Sequence, residues 1–334
     1  MNPLFLDRNI FILMLSEAIV WGVMLLTLPV VASLLRRWDF SDYTSGQFRL
    51  ERRAYLVTTV AVFVFVLKLL LFPYFIFTID KLSAVVPGAM CAAGVISFDP
   101  SGMHLLYLKV TVVFVLVWWL VIHRFDLVEG TYPWALLKFR LFVLLLLLTG
   151  WELWMEYRFF DALDIHAVLN CCATLYGLLE GMNPLPFGLE KWWMVTLFYL
   201  LWLLIFFSYL ADRPLRYAVG MVLFGIIAYY SVLYVFGTYI YELPGHHCPF
   251  CMFQKEYYYV GYLIWGLLGG GLFLGISGVV SEFMLGVNAS GLKRFSSWLL
   301  SLFVFVCTLY VLSYVVRNGT LLQEEISSEM MMPM

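Results

Sequence analysis

Eight apolar runs, most of them close to twenty residues or longer, constrain this chain more than any other feature. They lie at about residues 10–34, 54–78, 104–121, 135–153, 192–210, 217–239, 257–280 and 296–316. A helix needs about 20 apolar residues to cross the hydrocarbon of a bilayer. Backbone groups in lipid must find their hydrogen bonds inside the segment, which favours helices. The runs are continuous rather than alternating, which argues against a barrel. Of the 334 residues only 13% are charged, against about 25% in a soluble domain. The net charge of −2 provides no basic surface for nucleic acid. The sequence therefore predicts an all-α integral membrane protein in contact with membrane lipid. Residues 1–334 form one polytopic membrane domain, a bundle of about eight transmembrane helices.

Lysine and arginine set the orientation. Twelve of them, including Arg36, Arg37, Arg52, Arg53, Arg213 and Lys293, fall on one set of loops. Seven, including Lys81, Lys109, Arg158 and Lys255, fall on the other side or at span ends. The positive-inside rule places the twelve in the cytoplasm and both termini on the outer side. The outer loops are then about 79–103, 151–191 and 240–256. The second is long enough for a helix of its own over 164–180, capped by Asp161 or Asp164.

Five of the six cysteines lie in these outer loops: Cys91, Cys171, Cys172, Cys248 and Cys251. In a bacterial inner membrane those loops face the oxidising periplasm. Basic residues and cysteines thus support the same orientation independently. An odd number of outer thiols leaves at least one without an intrachain partner. Neighbours such as Cys171 and Cys172 rarely bridge each other, because the bond is strained, but one of them can pair with Cys91. Inert structural disulfides and exchanging ones both remain open. Cys307, inside a span, reads as a small buried apolar residue.

The sharpest motif is His246-His247-Cys248-Pro249-Phe250-Cys251, followed by Met252-Phe253-Gln254-Lys255. C-x-x-C spacing permits a short redox-active disulfide. The motif precedes the seventh run, so the sequence predicts it at a helix N-terminus. Unpaired amides there lower a cysteine pKa. Pro249 suits a first helical turn, and Lys255 falls one turn beyond Cys251. The stretch Cys248 to Lys255 resembles the signature of the disulfide bond formation protein B family, in which a basic residue follows the C-x-x-C. That resemblance implies electron transfer from a soluble, thioredoxin-like dithiol protein on the outer face to membrane quinone. It implies that Cys251 faces the quinone, that Cys248 exchanges with the second loop, and that Lys255 takes the quinone-binding basic position. In the family the motif follows the first span of a four-helix core, whereas here it precedes the seventh run. Cys248, Cys251, Cys91, Cys171 and Cys172 are the candidate catalytic residues, with Lys255, Tyr258 and Lys68 toward quinone. A copper or zinc site built from His246, His247, Cys248 and Cys251 is the alternative, and a non-catalytic subunit of a membrane complex is a third reading.

Lys68 sits inside the second run, where an ionisable group is expensive unless paired. Glu17 in the first run is its expected partner, since the two groups lie about 15 Å and about 10 Å below the outer end at 1.5 Å per residue. The pair either fixes helix packing or serves a proton path or a quinone ring. Tyr239, Tyr241, Tyr257, Tyr258 and Tyr259 read as an aromatic belt or as walls of a quinone site. Gly266, Gly269, Gly270, Gly271 and Gly275 predict close helix packing in the seventh run.

Overall fold

The computed structural model describes residues 3–38, 44–129, 132–163 and 190–322. Every regular element among them is helical. The long helices are α1 (Arg8–Arg37), α2 (Ser45–Ser83), α4 (Pro100–Glu129), α5 (Ala135–Ala162), α6 (Lys191–Leu210), α7 (Pro214–Tyr241), α8 (Val260–Leu285) and α9 (Ser290–Asn318), with a short α3 (Ala92–Ile96). Asp7 starts α1 by accepting hydrogen bonds from the amides of Asn9 and Ile10 at 2.8 and 3.2 Å, and Thr44 caps α2 through the Gln47 amide. Such caps satisfy amides that the first turn leaves unpaired. Pro214 opens α7, where its missing N–H is no loss.

Seven of these helices are long and apolar enough to cross a membrane, one fewer than the eight expected. The exception is α5, whose 28 residues include Arg140, Glu152, Glu156 and Arg158. It also continues to Ala162, well past the expected end near 153. The structure pairs Glu152 and Glu156 with lysines of other helices, so the helix runs on through them. Likewise α2 continues to Ser83 and α4 begins at Pro100, which shortens the first loop on both sides. The helix expected over 164–180, with Cys171 and Cys172, lies outside the described residues.

The chain divides into two compact units. The first is built on α1, α2, α4 and α5. Here α1 packs on α2 and α5, and α4 packs on α5 and α2, closing a ring of four helices. Met24, Phe65, Leu116, Trp119, Phe142 and Leu145 are buried inside it. The Trp119 indole donates to the Lys138 carbonyl at 2.9 Å and meets Phe65 edge-on at 4.9 Å. Gly150 admits Trp21 against α5, since a Cβ there would stand 2.7 Å from the indole nitrogen.

The second unit comprises α6, α7, α9, the part of α8 up to Val279, and the segment Gly88–Ala93. Phe198 of α6 lies at its centre, within 5.9 Å ring to ring of Phe224, Phe236 and Phe303. The glycines of α8 serve close packing. A Cβ on Gly271 would strike Leu300 of α9, and one on Gly275 would strike Met221 and Ser296. The Ser296 hydroxyl donates to the Gly271 carbonyl at 2.6 Å across the same contact. Large apolar side chains face outward in both units, among them Leu26 at 80% and Trp298 at 67% exposure. In water these would be a liability, but against acyl chains they are the expected surface.

Candidate functional site

The C-x-x-C motif stands on an irregular stretch after α7. Within α7 a π turn, Val232–Phe236, interrupts the α pattern, a feature common near functional sites. Glu242, with φ of 54°, turns the chain out of the helix. Two single 3₁₀ turns follow, Cys251–Phe253 and Lys255–Tyr257, and then Tyr258 and Tyr259 with φ of 52° and 57°. Only at Val260 does α8 begin. The cysteines therefore do not stand on the first turn of α8, contrary to the sequence expectation. Neither Pro249 nor Lys255 holds the expected helical position. Two left-handed residues intervene, and no helix propagates back through them.

Tyr241 organises this stretch. Its hydroxyl donates to the Cys248 carbonyl at 2.5 Å and accepts from the Met252 amide at 3.1 Å. The Gln254 side chain donates to the Met90 carbonyl at 2.8 Å, tying in the segment that carries Cys91. As a result Cys91 Sγ lies 3.4 Å from Cys248 Sγ. The sulfurs of Cys91, Cys248 and Cys251 all lie within 4.8 Å of one another, and all three residues are buried. A disulfide bond measures about 2.05 Å, so Cys91 and Cys248 stand at contact distance.

The histidines do not join this group. His247 Nδ1 lies 3.3 Å from the Leu233 carbonyl, so it is the nitrogen that carries the proton, and the ring packs on Tyr234. The His246 ring meets Tyr241 edge-on at 4.5 Å, and burial holds its pKa below the ordinary imidazole value. Burial, then the charge of Cys251, raises the Tyr257 phenol. Lys255 is exposed, and Tyr258 is 91% exposed. Cys307 is buried in α9. Cys171 and Cys172 lie outside the described residues. The sequence grouped Cys91 with Cys248 only through their shared outer placement, and across 157 positions nothing marked the direct contact.

A second constellation occupies the first unit. Glu17 of α1 pairs with Lys68 of α2, as expected. Lys68 also reaches Glu152 of α5 at 2.9 Å. Lys109 of α4 meets Glu17 at 3.3 Å, Glu152 at 2.7 Å and Glu156 at 3.1 Å, and its ammonium lies 4.5 Å from the Phe75 ring centre. All five side chains are at most 5% exposed. The Lys68 ammonium is thus engaged by two carboxylates. The sequence reading placed Lys109 at a span end, Glu152 where the fourth run meets the second loop, and Glu156 in that loop. The missed signal was the i, i+4 spacing of Glu152 and Glu156, which sets both on one helix face.

A cavity of about 470 Å³ opens elsewhere in the first unit, lined among others by Trp38, Tyr55, His123, Tyr132 and Lys138. None of the five clustered charges lines it. Comparison of the chain with protein-family models, with curated proteins and with solved structures gives no match.

Proposed function

We propose that this chain is an integral membrane thiol–disulfide oxidoreductase, exchanging electrons between a dithiol protein on its outer face and membrane quinone. The observation that carries the reading is the grouping of Cys91, Cys248 and Cys251, with 3.4 Å between the first two sulfurs. Disulfide exchange needs a third sulfur poised against a bonded pair. With Cys248 and Cys251 bridged, the Cys91 thiolate attacks Cys248 Sγ. A Cys91–Cys248 bond forms, the Cys248–Cys251 bond breaks, and Cys251 leaves as a thiolate. No net electrons move in that step. In the oxidative step two thiols form a bridge and pass two electrons and two protons to quinone, giving quinol. A thioredoxin-like dithiol restores the thiols and becomes a disulfide itself. The partner would exchange with Cys91 or with Cys171 and Cys172, and exposed Lys255 and Tyr258 are the groups a quinone ring would meet at the rim.

In this reading α5 crosses the membrane as an eighth span, its two glutamates compensated by Lys68 and Lys109. Both termini and the cysteine loops face the periplasm of a bacterial inner membrane. The test is a Cys251→Ser protein, first oxidised so that Cys91 and Cys248 are bridged, then mixed with a thioredoxin-like donor that keeps only its attacking cysteine. The donor thiolate opens the bridge, one of the two chain cysteines leaves as a thiolate, and a mixed disulfide trapped on the other is expected, together with changed thiol tagging of the native chain during turnover with the intact reduced donor and a soluble quinone. Unchanged tagging and no trapped species overturn the proposal.

The same grouping favours one other reading, a Cu⁺ or Zn²⁺ site. Thiolates about 2.3 Å from zinc stand about 3.8 Å apart, which suits three sulfurs within 4.8 Å of one another. In this version Cys91 replaces the histidines in the ligand set. A stoichiometric metal that survives a strong chelator and is lost in Cys91→Ser selects it.

A further inference from the structure

We propose that the buried cluster of Glu17, Lys68, Lys109, Glu152 and Glu156 is a proton-binding site, with Glu156 carrying an exchangeable proton inside the membrane. The proposal is independent of the cysteine chemistry.

It rests first on charge. Three carboxylates face two ammonium groups, and the five side chains are at most 5% exposed. Fully ionised, the cluster carries one uncompensated negative charge. An isolated charge in a medium of low dielectric is so costly that the group takes up a proton instead. One bound proton makes the cluster neutral.

It rests second on hydrogen bonding. The three glutamates present six oxygens, which only accept when ionised. Both Glu17 oxygens, Glu152 Oε1 and Glu156 Oε2 receive a lysine. Glu152 Oε2 and Glu156 Oε1 are buried with no hydrogen-bond partner. Lys109 already serves three oxygens, the full number of donors an ammonium has. Lys68 donates to Glu17 and Glu152 and makes no contact with Glu156. Glu156 Oε1 is therefore short of a donor in a cluster that is short of a positive charge, and a proton on this carboxylate supplies both.

Glu156 is the carboxylate that holds it. Glu17 and Glu152 each contact both lysines, whereas Glu156 contacts Lys109 alone. It is the least compensated of the three and keeps one oxygen free. The charged groups acting on it are Lys109, Glu17, Glu152 and Lys68, so α1, α2, α4 and its own helix all contribute. The N-terminal turn Pro3–Leu6, which also packs on α5, brings no titratable side chain. Proton release to water leaves the cluster at −1 and uptake returns it to zero, with the lysines charged throughout.

The test is infrared spectroscopy of the full chain in lipid. At neutral pH the native protein should show the carbonyl stretch of a buried carboxylic acid, shifted in heavy water. The band should vanish reversibly on alkalinisation as one proton per chain. It should be lost in Glu156→Gln and displaced in Glu156→Asp, which keeps an acid should the first variant fail to fold. It should survive in a chain lacking Cys91, Cys248 and Cys251. Absence of the band, a band that never titrates, or one that both Glu156 variants leave in place overturns the proposal. So does loss of the band on adding sodium at constant pH, which would assign the site to a metal cation.

Discussion

The two units bury reactive groups by opposite means. In the first, charges come from four regular helices, and each is fixed by the rod it stands on. In the second, three sulfurs meet on stretches with almost no regular structure, held by the Tyr241 hydroxyl and one glutamine. On the proposed reading, the contrast follows from what each chemistry demands. Ionised groups away from water need every partner in place all the time, because the penalty for a missing one is severe. Sulfurs that exchange must shorten a contact of 3.4 Å to a bond of about 2.05 Å and then release it. Rigid helices suit the first task and a lightly pinned loop suits the second.

The sharpest way to break this comparison is Lys109→Met. It leaves three carboxylates facing one ammonium, and a loss of about 3–5 kcal/mol is expected in denaturation of the purified protein. A loss below about 1 kcal/mol would mean that the cluster is wet. Glu152→Gln should cost about 3 kcal/mol, since it strips a partner from both lysines at once. Glu156→Gln should cost under about 1 kcal/mol, because it imitates a carboxyl that is already protonated. Equal costs for the two glutamates would remove the asymmetry between them.

In the second unit, Tyr241→Phe removes the pin and leaves the Cys248 carbonyl and the Met252 amide without that partner. A cost of about 1–3 kcal/mol and faster alkylation of Cys248 are expected, with unchanged hydrogen exchange in the ring of four helices. Cys91→Ser should change stability by less than about 1 kcal/mol while abolishing rearrangement of the Cys248–Cys251 bridge, read by mass tagging. The smallest effect concerns pH. Burial lowers the His246 pKa, so the unfolded chain takes up its proton first, near pH 6.5. Its stabilising contribution is complete above that pH and is lost as pH falls from there through the folded value. His246→Gln should flatten this acid limb of a stability profile.

The helices were legible because apolar length in a bilayer leaves the backbone almost no other choice. Lys68 and Glu17 could be paired because each interrupts an apolar run alone. Lys109, Glu152 and Glu156 escaped for the opposite reason. Charges near the edge of an apolar run look like its end, and only tertiary partners reveal that the helix continues. The C-x-x-C spacing was visible, but its backbone was not. A local reading extends the helix toward Cys251, whereas Tyr258 and Tyr259 turn it off. Cys91 carried no local mark of its partner at all.

The two left-handed tyrosines have a mechanical consequence. A side-chain-bearing residue in that conformation costs roughly 1–2 kcal/mol relative to its right-handed form, and two in succession make a firm stop. Had the rod continued, any tilt or slide of α8 within the bilayer would have levered both cysteines with it. The stop insulates them, so forces on the helix need not disturb the spacing of the three sulfurs.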